Sequence, residues 1–327
     1  MTQPVAIGLI VGHGYTKIQG PGGTACFPSV AALAPTNDGH LVDATLGPPR
    51  NTVVTLDDGS EWLAGATALS IAPNRLVSIL DRARYGSPSF VALAREALRQ
   101  VLPCPAPLRV ITGMPAAWFA DVGARQQLAD AITKAARPWG PAHVTLAPEP
   151  AGIYYDYLFE RGSLDLGRKA EQVGVFDLGY RDAGVAWFSA GRYAGGESVP
   201  GGMAESLREV KRLIAATYGL ELSLHEVDTA VRRGGLTVEG ERRALPPGSA
   251  EALVKGLETV AATGRSLWPN GGRGLDALVV GGGGAHVLAE PLRRAFPHAV
   301  VLSQPQLSGA RGFYAMASMA AATSRGL

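Results

Sequence analysis

Where this chain puts its glycines limits what it can fold into more than any other feature. The 42 glycines do not spread as a flexible linker but gather at the ends of short apolar runs. Gly12-His13-Gly14 follows Pro4–Val11, Gly179-Tyr180-Arg181 follows Val173–Leu178, and Gly281-Gly282-Gly283-Gly284 follows Ala277–Val280. Glycine at a strand end lets the backbone pass close to another backbone or to a ligand. The first two runs read as β-hairpins that return through Tyr15–Gln19 and Ala183–Ser189. The third leads directly into a helix, His286–Phe296, whose N-terminus stands behind the glycines.

Between these landmarks, further strands are predicted over Cys26–Leu33, Glu61–Leu63, Leu108–Thr112, His143–Leu146 and Val300–Leu302. Apolar spacing predicts helices over Ser89–Val101, Arg125–Ala135, Ala151–Glu160, Ala204–Tyr218 and Ala310–Ala322, with one long helix over Ala250–Trp268. Ser223 with Glu226 forms a capping signature ahead of the helix Leu224–Arg233. A small hairpin is expected over Leu236–Leu245, Pro35–Asn51 is rich in turns, and Ser163–Gln172 reads as a polar loop. The order hairpin, helices, strand, helix, then hairpin, helices, strand-glycine-helix describes a mixed α/β chain with two similar halves. At 327 residues the chain exceeds one ordinary core of roughly 100–150 residues, so two lobes are expected.

Several function classes fall away. A net charge of +2 with no Lys/Arg tract gives little support to direct nucleic-acid binding through phosphate neutralisation. Cys26 and Cys104 lack metal-site spacing and read as two buried thiols in a reducing compartment. No apolar run reaches the roughly 18–20 residues that span a bilayer, and the start of the chain lacks a signal-peptide pattern. The expectation is a cytoplasmic protein with no membrane partner.

Each glycine cluster has two readings. Gly12 and Gly14, with Thr16 and Lys17, offer backbone N–H groups, a hydroxyl and a cation to phosphate oxygens, or they simply close a tight hairpin. The spacing is not that of a Walker-type loop. Asp177 ends a buried strand, where a carboxylate is costly unless it is paired, hydrogen-bonded or facing a metal; it also reads as a turn cap. Gly281–Gly284 lies near the end of the chain with no acidic residue at dinucleotide-binding spacing, which weakens a Rossmann reading.

Taken in order, these segments resemble the actin superfamily. Ile7–Lys17 looks like its first phosphate loop, Val175–Tyr180 its second, and Val279–Ala285, with one extra glycine, its adenosine loop; Pro148-Glu149-Pro150-Ala151 is similar to the start of the helix that carries a water-positioning residue. Phe27–Val30, Trp62–Gly65, Ile111–Pro115 and Ala310–Phe313 resemble the ParM-like and archaeal-type plasmid-segregation branch. The resemblance implies an actin-like (ribonuclease H-like) α/β fold of two lobes, residues 1–145 with the helix 306–327 packing back on them, and residues 146–305, with a nucleotide cleft between the lobes. It assigns Gly12, His13, Gly14, Tyr15, Thr16 and Lys17 to the phosphates, Asp177, Gly179 and Tyr180 to the facing loop, and Gly202 and Gly281–Gly284 to the nucleoside side. Asp177 is implied near Mg²⁺, and Glu149 is implied to orient the attacking water for transfer of phosphate from ATP or GTP. Glu205, Glu209 and Lys211 are candidates for ribose and purine contacts, or simply a solvated helix face.

The implied partners are further copies of the chain, joined head to tail in an open filament, and a DNA-bound adaptor that links it to plasmid DNA. A monomeric small-molecule kinase and a non-hydrolysing scaffold are the alternatives on the same fold.

Two positions depart from the family pattern. Ile10 stands where an aspartate is usual, and Asp182-Ala183-Gly184 replaces Thr-Thr-Asp after the second turn. Mg²⁺ often keeps its waters and uses one or two carboxylates, so nucleotide binding with slow hydrolysis is expected; Ile10 also reads as a plain packing residue. On the first reading Ile10→Asp raises the rate of phosphate release in a steady-state assay, and an unchanged or lower rate favours the second.

Overall fold

A computed structural model describes residues 3–35, 53–78, 82–160 and 162–323. The turn-rich segment Pro35–Asn51 lies almost wholly outside the described residues. The chain divides into two compact units, one of Met1–Met114, Trp118–Ala147 and Phe313–Leu327, the other of Pro115–Ala117 and Pro148–Gly312.

The first unit opens with β1 (Val5–Val11), β2 (Tyr15–Gly20), β3 (Gly23–Pro28) and β4 (Val30–Leu33), followed by β5 (Val53–Thr55), β6 (Glu61–Ala64), α1 (Ala66–Ile71) and β7 (Val77–Ser78). A 3₁₀ turn at Arg82–Gly86 then leads to α2 (Pro88–Val101), β8 (Leu108–Met114), α3 (Val122–Ala136) and β9 (Ala142–Pro148). Its main sheet has the order β3-β2-β1-β8-β9, antiparallel through the hairpin and parallel from β1 to β8. A small sheet, β5-β6-β4-β7, stands apart from it. The single strand predicted over Cys26–Leu33 is therefore two strands in two sheets, parted at Ser29. The break has a local cause: Pro28 cannot donate to a ladder, while the Ser29 N–H leaves the ladder to bond the Gly14 carbonyl at 2.9 Å.

Helix α2 is the centre of this unit. Ser87 caps it by accepting from the Phe90 N–H at 3.2 Å, and Pro88 occupies its first turn, where a missing N–H costs nothing. Phe90, Leu93, Ala94, Ala97 and Leu98 pack with Ile7, Leu9 and Ile18 from the sheet. The helix even buries Arg95, whose guanidinium bonds the carbonyls of Thr55, Lys134 and Ala135 and the carboxylate of Asp57. Arg95 and Arg137 beside it hold the Asp57 carboxyl below the usual range.

The second unit contains α4 (Glu149–Leu158), α5 (Leu166–Ala170), β10 (Gln172–Leu178), β11 (Asp182–Ser189), β12 (Arg192–Pro200), α6 (Met203–Tyr218) and α7 (Leu224–Arg233). It continues with β13 (Leu236–Val238), β14 (Glu241–Arg243), α8 (Ser249–Val254), α9 (Leu257–Leu267), β15 (Ala277–Gly281), α10 (Ala285–Ala295), β16 (Ala299–Val301) and α11 (Ser308–Thr323), which starts in this unit. Its main sheet, β12-β11-β10-β15-β16, repeats the pattern of an antiparallel meander followed by parallel strands. Phe176, Trp268 and Phe296 meet edge to face at its core, and the Trp268 indole donates to the Ala186 carbonyl at 2.9 Å.

The polar stretch Arg192–Pro200 is a strand, because it completes the meander beside β11. The second unit revises two expectations. Ser163–Gln172 holds a short helix capped by Asp165. The long helix over Ala250–Trp268 is two helices, with Gly256 between them so close to Gly201 that a Cβ there would lie 2.9 Å from the Gly201 Cα. The cysteines also differ from expectation: Cys26 sits on the outer face of β3 and Cys104 in a loop, both exposed and neither in a disulfide.

The segment Ala310-Arg311-Gly312 fastens α11 to α4. Arg311 grips Asp156 with Nε at 2.9 Å, and burial pushes that carboxyl up while Arg311 opposes the shift. The helices touch through glycine, since a Cβ on Gly312 would lie 1.7 Å from the Gly152 carbonyl oxygen. Gly312→Ala therefore lowers unfolding stability by at least about 1–3 kcal/mol through overpacking. Gly86→Ala, where a Cβ meets nothing within 4 Å, stays within about 1 kcal/mol of the parent in the same denaturant titration.

Candidate functional site

In the first unit the expected residues lie at the β1–β2 turn. Val11 pairs with Thr16 and Ile10 with Lys17 across the hairpin. The Gly12 N–H donates to the Tyr15 carbonyl at 3.2 Å, and a Cβ on Gly12 would lie 2.9 Å from that oxygen and 3.4 Å from the Lys17 Nζ. Glycine is needed here for room, because the Tyr15 carbonyl closes on the turn; the Lys17 ammonium lies over the same turn. Alternation along β2 turns Tyr15 and Lys17 to one face and Thr16 to the other. Thr16 is fully buried, and its hydroxyl lies 2.9 Å from that of Ser29. Its place in the structure is thus a core hydrogen bond. Ile10 is buried directly across from Lys17, and His13 is half-buried with its ring edge against Trp118, 6.0 Å between centroids.

In the second unit, Asp177 lies in the middle of the sheet. It pairs with Gly184 on β11 and with Gly281 on β15. A Cβ on Gly184 would come within 3.2 Å of the Asp177 Cβ, and one on Gly282 within 2.5 Å of its Oδ1. Gly184 on β11 and Gly282, just past the end of β15, thus leave the space that the carboxylate occupies. Gly282 also takes a φ of +87°, a conformation that glycine adopts without strain. The glycine run then wraps the strand end: the Gly284 N–H donates to the Leu178 carbonyl at 2.7 Å, and the Gly282 N–H to Pro305 at 2.8 Å.

Three elements close around the β10–β11 turn. Helix α6 caps it, with the Met203 N–H donating to Gly179 at 3.2 Å and the Ala204 N–H to Tyr180 at 2.7 Å. Gly202 permits this, since its Cβ would sit 2.4 Å from the Arg181 carbonyl carbon. Helix α4 approaches from the other direction: Pro150, next to Glu149, packs on Gly184, the cross-strand neighbour of Asp177. The structure thus brings Glu149, Asp177, Gly179, Tyr180, Gly202 and Gly281–Gly284 together within this unit.

Helix α7 supplies residues that were not singled out in the sequence. Tyr180 stacks on His225 at 6.1 Å, with the rings 9° from parallel. Asp228 is buried and accepts from the Arg232 Nε at 2.9 Å; Arg232 also donates to Gln306 at 3.1 Å and to the Gly283 carbonyl at 3.2 Å. Burial, with Asp228 nearby, pushes the Tyr180 phenol up to about 12. The signal for this cluster was the Asp228–Arg232 spacing of four on a helix already marked by its cap.

On α6, Glu209 pairs with Arg212 at 2.6 Å and Lys211 with Glu221 at 3.4 Å, while Glu205 is exposed. Glu205 and Glu209 line a hollow of about 530 Å³ with Gly202, Arg208 and Lys255.

For a divalent cation the fit is partial but real. Among the described residues no group of three or more His, Cys, Asp or Glu side chains gathers, yet Asp177 stands in a glycine-lined space. One carboxylate with phosphate oxygens and waters meets the needs of Mg²⁺. Asp182 lies 3.8 Å from Arg181. Among the described residues no helix is long and apolar enough to cross a membrane.

No protein-family model and no curated protein matches this chain. Solved structures do. An archaeal actin homolog, Ta0583, in complex with ADP is 18% identical with a TM-score of 0.72, covering 96% of this chain and 99% of that one. A 15-stranded ParM filament from Clostridium botulinum is 16% identical with a TM-score of 0.76, covering 97% and 100%. A MamK double helical filament is 14% identical with a TM-score of 0.67, covering 96% and 99%. The chain therefore has the actin-like fold.

His225 tests the electrostatics of the α7 cluster. Burial lowers its pKa below 6.5, with Asp228 opposing. The unfolded chain then binds the proton more readily, so the stabilisation is complete above pH 6.5 and is lost as the pH falls through the folded value. Between pH 7.5 and 5.5 the parent should lose more stability than His225→Phe, which keeps the stack on Tyr180; parallel loss in denaturant titrations would contradict this.

Proposed function

We propose that this chain is a nucleotide-dependent, actin-like filament protein that binds ATP with Mg²⁺, hydrolyses it slowly and assembles head to tail. The observation that carries the proposal is the Asp177 carboxylate, held in a sheet whose neighbouring strands present Gly184 and Gly281, beside a glycine run that opens a helix. Asp177 would hold the metal through its waters, and Glu149, in the first turn of α4, would orient the attacking water. Gly12, His13, Gly14, Tyr15 and Lys17 are assigned to the phosphates, with Lys17 supplying the cation. Gly179 and Tyr180 form the second loop, and Gly202 and Gly281–Gly284 the nucleoside side. Arg232, which bonds the Gly283 carbonyl, joins Glu205, Glu209 and Lys211 as a candidate for ribose or purine contacts.

Bound nucleotide supplies the phosphoanhydride, and Mg²⁺ the charge that offsets its oxygens. The residues of the chain orient and neutralise rather than react covalently. With Ile10 in place of a second carboxylate, slow turnover is the expected consequence. The filament reading draws on the ParM and MamK neighbours, which are filaments. The near-neutral charge supports reaching plasmid DNA through an adaptor rather than directly. ATP is preferred to GTP because the archaeal neighbour holds an adenine nucleotide.

Sedimentation tests this reading. The protein should pellet with Mg²⁺-ATP and with a non-hydrolysable analogue, and stay in the supernatant without nucleotide. Asp177→Asn should lose about tenfold or more in the Mg²⁺-dependent part of nucleotide affinity. Protein that remains soluble in every condition overturns the filament assignment, and Mg²⁺-dependence that survives in Asp177→Asn overturns the metal assignment.

A further inference from the structure

Among the described residues of the first unit two arginines are buried, and only one has a partner at each side-chain nitrogen. Arg95 fills its donors with three carbonyls and Asp57. Arg84, on the 3₁₀ turn just before α2, is 3% exposed, and its Nε and Nη1 have no hydrogen-bond partner. Its one side-chain bond is a long 3.4 Å contact from Nη2 to the Tyr85 hydroxyl. The guanidinium lies 4.9 Å from the Tyr85 ring centroid and 5.9 Å from that of Phe90. These π-faces recover part of the desolvation cost, but they leave the unpaired N–H groups unsatisfied.

A second feature raises the local positive potential. Phe90 is in the first turn of α2, a helix of 14 residues whose first turn holds no acidic side chain. A helix N-terminus carries roughly half a positive charge, so a buried cation beside it is doubly uncompensated. The arrangement lacks one component, an anion able to accept from several donors. Ser87 and Ser89 add hydroxyls at the same turn, 3.0 Å from each other.

We propose that Arg84, with the first turn of α2, is the receptor for a phosphate-class oxyanion in the first unit. A tetrahedral oxyanion supplies several acceptors and full negative charge, matching unpaired guanidinium donors at a helix N-terminus. The anion reaches Arg84 by displacement of the short 3₁₀ turn, which is tied to α2 by the Ser87 N–H and hydroxyl bonding the Arg84 carbonyl at 3.0 and 2.7 Å. Tyr85 packs edge-on against Trp118, which packs edge-on against His13 of the β1–β2 turn. Occupancy at Arg84 is thereby linked to that turn through two aromatic contacts. The site uses first-unit residues alone and does not depend on filament assembly. Its oxyanion has two possible sources, free phosphate and the terminal phosphate of a nucleotide.

The test compares the parent with Arg84→Met, nucleotide-free, by thermal midpoint under inorganic phosphate, with chloride holding the ionic strength constant. The parent should show a saturating rise, about 5 °C at a hundredfold excess over the dissociation constant, and Arg84→Met should show none. In a second arm, a rise with Mg²⁺-ATP that exceeds the rise with Mg²⁺-ADP, again only in the parent, assigns the oxyanion to the nucleotide's terminal phosphate. Equal responses in parent and variant overturn the proposal. Without oxyanion, Arg84→Met should melt no lower than the parent, since replacing an unpaired buried charge by an apolar chain is neutral or stabilising; a lower midpoint with unchanged phosphate response marks Arg84 as packing alone. If Arg84→Met does not fold, a parent that shows neither a saturable phosphate response nor an ATP-over-ADP difference overturns the proposal on its own.

Discussion

A carboxylate in the middle of a β-sheet is an awkward thing to keep, and the second unit is organised around keeping one. Asp177 sits on β10 with strands on both sides, where side chains normally fill the available space. Gly184 clears one flank, and Gly282, turned to a positive φ, clears the space in front of its Oδ1, while Gly281 makes room for Ser308 and Ile153. Glycine in a strand sacrifices packing and costs roughly 0.5–1 kcal/mol relative to alanine. Two glycines thus give up packing where this one carboxylate needs room. The rest of the local architecture follows, because the same glycine run turns the chain into α10 and lets its backbone close on Leu178.

The first unit repeats the strand order but solves a different problem. Its turn carries a cation, not an anion, and Gly12 is required because the Tyr15 carbonyl closes on it. Burial of Ile10 opposite Lys17 leaves that ammonium facing an apolar neighbour across the hairpin. Thr16 and Ser29 meanwhile join the hairpin to the start of β4 through one buried hydroxyl pair. The two units are therefore similar in topology and opposite in the sign of the charge they present.

How much of this was legible in the sequence follows from the range of each interaction. Glycine at strand ends is a local signal with a steric cause, so both hairpins and the glycine run stood out, and with them Asp177. The break at Gly256 did not stand out, because its cause is Gly201, far away in the chain. Likewise, Arg192–Pro200 has no strand pattern of its own and is held by β11. Glu205 and Glu209 share a hollow with Gly202 and Lys255, a grouping that depends on how α6 meets residues far along the chain and that composition alone does not show. The burial of Arg84 and the exposure of Cys26 depend on which face the sheet and helices finally cover. No window of sequence contains that information.

Helix α7 shows what long-range contacts add to a locally readable site. Arg232 bonds three groups far apart in the chain: Asp228 on its own helix, Gln306 ahead of α11, and the carbonyl of Gly283. Two turns earlier, His225 stacks on Tyr180 in the turn after β10. The glycine run and the β10–β11 turn are thus both held by the same helix, one through a guanidinium and the other through an aromatic stack. Val227 and Val231 of the same helix are buried in the core of the unit, so both attachments start from one packed element.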